Sequence, residues 1–128
     1  MAAAQAPRRL RVVVVDDDPD VVVMLRRILE AEDYHVAGAA SDATSAVAML
    51  PDACPDVAVI DYGLPDGTGI DVAIAVRNTC PRAYVILTSA THVPADVLAD
   101  SAVDRFLPKR ALIRLPRLIE EIAATHLA

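Results

Sequence analysis

Short apolar runs alternate with longer amphipathic stretches five times along the chain. The first run, Arg11–Asp16, carries Val12 to Val15 without a polar break. A strand with one wet face alternates apolar and polar residues, so an unbroken β-branched run predicts a strand buried on both faces. Asp18 follows as a candidate N-cap, with Pro19 at the first helical position, where its missing N–H costs nothing. The predicted helix sets Val21, Leu25, Ile28 and Glu32 along one line and turns Arg26, Arg27 and Glu30 outward. His35–Ala39 reads as a weaker second strand. Ser41 or Asp42 can cap the next helix, which should end before Pro51. Val57–Asp61 (VAVID) is the third strand and ends on a carboxylate.

Residues 63–69, GLPDGTG, hold three of the four glycines and predict a turn-rich loop. A helix over about Ile70 to Asn78 follows, stopped by Cys80-Pro81. Tyr84–Thr88 is the fourth strand, trailed by a short helix from about Pro94 to Asp100. Asp104–Leu107 is the fifth strand, with Pro108 just beyond it. A last helix starts near Leu115-Pro116 and turns Leu118, Ile119 and Ile122 inward. Strands alternating with crossover helices imply an α/β fold, a parallel sheet with helices on both faces. Ligands of such sheets bind outside the C-terminal strand ends, where strand order reverses. Those ends read Asp16-Asp17, Asp61, Thr88-Ser89 and Lys109, so the candidate chemistry gathers at one edge.

Composition narrows the class. At 128 residues, 55% of them hydrophobic, the chain fits one domain with a full core rather than a disordered tail. No apolar run reaches the roughly 18–20 residues that span a bilayer, and the N-terminus lacks the apolar stretch of a secretory signal. A soluble, cytoplasmic protein is expected. The formal charge of −6 argues against direct nucleic-acid binding. Arg8, Arg9 and Arg11 form the one basic cluster, which reads as part of a solvated N-terminal tail, with a leader expected over residues 1–9. Cys54 and Cys80, far apart in sequence, read as reduced, partly buried small residues.

Three carboxylates, Asp16, Asp17 and Asp61, should converge at neighbouring strand ends. Like charges that close need a proton or a cation, and hard oxygen ligands on a small site suit Mg²⁺. Two adjacent carboxylates exceed what capping a helix requires. Of twelve basic residues, eleven are Arg and one is Lys109. A compact ammonium just past the fifth strand can reach a phosphoryl oxygen or carboxylate where a planar fork would not fit. Thr88 adds a hydroxyl at the end of the fourth strand.

With these residues in place, the sequence resembles the response regulator receiver (CheY-like) family over roughly residues 10 to 127. Its acid pair corresponds to Asp16 and Asp17 in VVVVDDDP, and its phosphoacceptor to Asp61 in DVAVIDYGLPDGTGID. Its strand-four hydroxyl corresponds to Thr88 in VILTSA, its lysine to Lys109 in FLPKR, and its aromatic switch position to Phe106. The resemblance implies a (βα)5 flavodoxin-like sheet of order 2-1-3-4-5. It implies Mg²⁺, with Mn²⁺ as the alternative ion, held by Asp17, Asp61 and the Gly63 backbone carbonyl, with Asp16 acting through a water. It further implies in-line attack of Asp61 on the phosphohistidine of a sensor histidine kinase or histidine phosphotransfer protein, with the Ser89 backbone contacting the phosphoryl group. Thr88 and Phe106 would then switch the face of the fourth helix, fifth strand and fifth helix, including Asp100, Arg105 and Arg117. That face would serve a downstream effector protein or a homodimer.

Two departures stand out. Lysine follows Pro108 instead of preceding a proline, so a trans Lys109–Arg110 bond is expected, and Phe106 lacks the hydroxyl of the commoner tyrosine. The expected organisation is a leader over residues 1–9 and a receiver over residues 10–128, without an output domain. The chain is then either a single-domain regulator or the regulatory domain of a longer one. Two other functions compete. A phosphorylation-independent interaction module would keep the fold without the transfer. A haloacid-dehalogenase-like phosphatase would use Asp16-Asp17-Asp18, but downstream of Lys109 it finds only Glu120 and Glu121, and it leaves Asp61 unexplained.

Overall fold

A computed structural model of the chain describes residues 9–127. Five parallel strands, β1 (Arg11–Val15), β2 (His35–Ala40), β3 (Val57–Asp61), β4 (Tyr84–Ser89) and β5 (Arg105–Pro108), form one sheet. Their spatial order is β2-β1-β3-β4-β5, as the family resemblance implied. The helices are α1 (Pro19–Ala31), α2 (Ala43–Ala53), α3 (Gly69–Thr79), α4 (Ala95–Leu98) and α5 (Leu115–Thr125). Successive valines of β1 supply both faces. Val13 and Val15 enter a core with Ala46 and Leu50 of α2 and Val72 and Val76 of α3. Val12 and Val14 enter a second core with Leu25 and Leu29 of α1 and Ile119 and Ile122 of α5. That two-sided burial is why β1 shows no polar alternation. The sheet so buried presents its C-terminal strand ends as a rigid rim.

Several elements depart from the sequence expectation, each for a local reason. Helix α2 runs through Pro51 to Ala53. Pro51 sits in the exposed last turn, and the helix closes at Cys54 in a left-handed conformation, φ 42°. Helix α1 buries Leu25 and Leu29, leaving Val21 and Ile28 part-buried and Glu32 exposed as its C-cap. Gly63–Leu64 and Gly67–Thr68 pair antiparallel, so the glycine loop is a tight hairpin across Pro65-Asp66. Asp104 falls outside β5 because its carboxylate accepts from the Val85 N–H at 2.8 Å and from Arg77 at 2.7 Å. Pro108 closes β5 instead, tolerated on an edge strand. Helix α4 is only four residues long, with no side-chain cap and no buried residue. A 3₁₀ segment, Lys109–Arg114, precedes α5; a run of mixed Arg and aliphatic residues gives it no periodic signature. No cis peptide bond occurs among the described residues, Lys109–Arg110 included.

Most of the expected leader lies outside the described residues. Arg9 does not: it pairs with Asp33 at 3.3 Å and donates to the Tyr34 carbonyl at 3.3 Å. Arg11 opens β1, donating its backbone N–H to Asp56 and its side chain to the Ala53 carbonyl, both at 2.8 Å. Both arginines are therefore tied to the fold, Arg9 from an exposed position and Arg11 from a part-buried one. Cys54 is exposed rather than part-buried. Among the described residues, no helix is long and apolar enough to cross a membrane.

Candidate functional site

Three strand ends build the site. The chain leaves β1 through Asp16, whose N–H donates to the Ala40 carbonyl at 3.0 Å. Its Oδ1 accepts from the Asp18 N–H at 2.9 Å, and Asp18 in turn caps α1 through the Asp20 N–H. Asp61 is the last residue of β3, opposite Thr88 of β4 in register. The Tyr62 N–H binds the Thr88 carbonyl at 2.8 Å, and the Gly69 N–H binds the Tyr62 carbonyl at 2.7 Å. A Cβ at Gly69 would collide with the Asp61 carbonyl oxygen. Glycine there lets α3 start directly against the end of β3. The hairpin is tied down from the other side: Asp66 accepts from the Ala43 N–H at 2.6 Å, the Thr44 N–H at 3.0 Å and the Thr44 hydroxyl at 2.7 Å. With Asp42 holding the Ser45 N–H, the first turn of α2 has three of its free amides satisfied. These bonds hold the Asp66 carboxyl down at about 2.

Carboxylate oxygens of Asp16, Asp17 and Asp61 all lie within 4.8 Å of one another, a grouping able to hold a metal ion. Asp16 and Asp61 are 2% and 5% exposed, whereas Asp17 stands open to solvent. Lys109 leads the 3₁₀ segment back over this cluster. Its Nζ is 2.9 Å from Asp16 Oδ2 and 3.2 Å from Asp61 Oδ2. One ammonium thus faces two buried carboxylates and cannot neutralise both. Burial pushes the Asp61 carboxyl above its ordinary value and the Asp16 charge pushes the same way, while Lys109 and the Gly63 N–H pull it down. Burial would lower the Lys109 ammonium, but Asp16 and Asp61 together hold it above its ordinary value.

Two buried polar atoms of the site remain without hydrogen bonds. Asp16 Oδ2 keeps its ion pair with Lys109 but no hydrogen bond of good direction. The Thr88 hydroxyl, on a residue 1% exposed, has no partner at all. Ser89 is spent locally, its oxygen accepting from the Thr91 N–H at 3.0 Å. Phe106 is half-buried and lines a cavity of about 340 Å³ with Val93, Leu98 and Arg110, between α4 and β5. Gly63 lies exposed on the rim, with open space around its Cα. The structure therefore brings together Asp16, Asp17, Asp61, Thr88 and Lys109, with Gly63 at the edge and Phe106 beyond Ser89. Sequence reasoning passed over Asp66 and Gly69, which hold the Asp61 loop in place. The glycine-rich spacing signalled a turn there, but not the contact that needs it.

The family model for the response regulator receiver domain matches residues 12–123. The chain belongs to that family. CheY of Thermotoga maritima is 30% identical over 115 residues, covering 84% of this chain and 96% of that protein. The DNA-binding response regulator MtrA of Mycolicibacterium smegmatis is 32% identical, covering 84% of this chain and 49% of its own length. The receiver thus spans about half the length of transcriptional regulators such as MtrA and TcrX of Mycobacterium tuberculosis. Among solved structures, the signal receiver domain of NarL from Mycobacterium tuberculosis superposes with a TM-score of 0.79 at 30% identity, covering 93% of this chain and 99% of that one. A CheY-like receiver from Methanospirillum hungatei shares the fold at a TM-score of 0.80 and 24% identity, covering 91% of this chain and 93% of that one.

Proposed function

We propose that this receiver accepts a phosphoryl group on Asp61 from the phosphohistidine of a sensor histidine kinase or histidine phosphotransfer protein. The observation that carries the reading is that Asp61 stands opposite Thr88 of the neighbouring strand, whose buried hydroxyl has no partner. A buried hydroxyl without a partner is costly to keep, and a phosphoryl oxygen on Asp61 would give it an acceptor. A carboxylate oxygen of Asp61 forms the new O–P bond as the N–P bond to histidine breaks and the histidine nitrogen keeps the electron pair. Lys109, already 3.2 Å from Asp61, follows the added negative charge as a point cation. The Ser89 backbone, next after Thr88 at the end of β4, would contact a phosphoryl oxygen.

The acid cluster fits a hard divalent cation, because its charge exceeds what Lys109 can balance. Asp16, Asp17, Asp61 and the Gly63 carbonyl would hold Mg²⁺, or Mn²⁺ in its place, and the ion supplies charge neutralisation for phosphoryl transfer. The protein is then a signalling phosphoacceptor, catalysing only its own phosphorylation and dephosphorylation. Movement of Thr88 toward the phosphoryl group and of Phe106 after it would remodel the α4-β5-α5 face, with Asp100, Arg105 and Arg117, for an effector protein or a second copy. The working place is the cytoplasm, and the segment itself binds no nucleic acid.

Acetyl phosphate with Mg²⁺, followed by intact mass, tests this reading. Wild type should gain the mass of one phosphoryl group and Asp61→Asn none. No gain in wild type would leave a phosphorylation-independent interaction module.

A further inference from the structure

Away from the acidic rim, the two cysteines meet. Cys54 is the C-cap of α2 and Cys80 the C-cap of α3, two helices packed side by side in one core. Both reach the same atom: the Cys54 N–H donates to the Leu50 carbonyl at 2.9 Å, and Cys80 Sγ lies 4.0 Å from that oxygen. The Cys80 sulfur therefore lies no more than about 7 Å from the Cys54 backbone nitrogen, and the two thiols are near enough to act on each other. Residues 26 positions apart in sequence have been folded into one thiol pair. The two thiols differ in access. Cys54 is exposed and opens onto a surface cavity of about 550 Å³ that also holds Arg9, Arg11, His35 and Asp52. Cys80 is half-covered, its thiol pushed up by burial and by the neighbouring Cys54 thiol.

We propose that Cys54 and Cys80 are a peroxide-responsive thiol pair that closes to an intramolecular disulfide stapling the ends of α2 and α3. In the first step the Cys54 sulfur attacks one oxygen of hydrogen peroxide. The O–O bond breaks, a sulfenic acid forms and water leaves. In the second step the Cys80 thiol attacks the Cys54 sulfur, forming the S–S bond and releasing a second water. Peroxide is reduced by two electrons and the two thiols are oxidised by the same two. Its exposure makes Cys54 the sulfur that peroxide reaches first, and its cover makes Cys80 the resolving one. The ring so closed contains β3, Asp61, the glycine hairpin and all of α3, the whole phosphoacceptor segment. Transient disulfides of this kind are the form in which such bonds serve a reducing compartment.

The test uses the full chain, reduced and then treated with stoichiometric hydrogen peroxide, with free thiols alkylated before digestion. Wild type should lose both alkylation sites, yield a peptide linking Cys54 to Cys80, and regain both thiols on reduction. Its oxidised form should melt higher by on the order of 10 °C, because the ring restricts the unfolded chain. In Cys80→Ser, peroxide should leave a sulfenic acid on Cys54 that dimedone traps. In Cys54→Ser, Cys80 should stay unmodified at the same dose. Two alkylated thiols in peroxide-treated wild type, or linkage only between separate chains, would overturn the proposal. Circular dichroism of the serine variants separates those outcomes from misfolding.

Discussion

Replacing Lys109 with methionine keeps the stem and removes the one ammonium that faces Asp16 and Asp61 among the described residues. Its Nζ stands 2.9 and 3.2 Å from the two carboxylates. At the effective dielectric of about 20 that suits such sites, each contact is worth about 5 kcal/mol before desolvation is charged against it. The net loss is smaller, because a fifth of the lysine side chain is exposed and because Asp61 can escape by taking a proton. Protonating a carboxyl at pH 7 against an ordinary value of 3.8 costs about 4 kcal/mol, which caps the penalty. We expect Lys109→Met to unfold at pH 7.5 with about 2–4 kcal/mol less stability than wild type in EDTA.

The pH dependence carries the sharper test. Lys109 now pulls the Asp61 carboxyl down against burial and Asp16, so its removal raises that group further. A group raised in the folded state favours folding below its unfolded value and loses that contribution as pH climbs through the folded one. The gap between variant and wild type should therefore shrink toward pH 4 and widen toward pH 7.5. Millimolar Mg²⁺ should narrow it at neutral pH by supplying the missing positive charge. Urea titrations at pH 4.5, 6 and 7.5, with EDTA or Mg²⁺, give all of these numbers. Equal stability of the two proteins at pH 7.5, or a gap that grows as pH falls, would refute the electrostatic account.

Three further changes probe other parts of the site. Thr88→Val removes a buried hydroxyl that bonds to nothing, so thermal unfolding should show stability unchanged or higher by about 1 kcal/mol. Phosphorylation should change the NMR spectrum of wild type and leave that of Thr88→Val largely as it was. Gly69→Ala forces a methyl onto the Asp61 carbonyl and should cost about 1–3 kcal/mol by urea unfolding while slowing acetyl-phosphate labelling. Asp66→Ala frees the Ala43 and Thr44 amides, whose hydrogen exchange should accelerate. With the Asp66 carboxyl held down at about 2, its contribution is present above the ordinary carboxylate value and disappears as pH falls toward 2, so the difference should vanish in strong acid.

How far the sequence could be read follows from where each signal lives. β1 and β3 were legible because burial on both faces leaves a run of apolar, mostly β-branched residues that no polar residue interrupts. The cluster of Asp16, Asp17, Asp61, Thr88 and Lys109 was legible for the same reason: a strand end marks a place in space as well as in sequence. Pro51 misled because a proline in an exposed last turn costs a helix far less than one in its middle. The 3₁₀ segment escaped notice because it buries one side chain, Leu112, and makes no periodic pattern. Asp66 capping α2 from 23 residues away, Gly69 against Asp61 and the meeting of Cys54 with Cys80 are products of packing. Nothing local in the chain announces a partner that only the fold supplies.

The central claim is that the phosphoryl group resides on Asp61, and its location can be read chemically. Borohydride reduces an acyl phosphate of aspartate to homoserine, which peptide mass spectrometry places by residue. After acetyl phosphate and Mg²⁺, wild type should show homoserine at position 61, with Asp16 and Asp17 intact. Homoserine at 16 or 17 with none at 61, or none anywhere in protein that has gained a phosphoryl group, would contradict it.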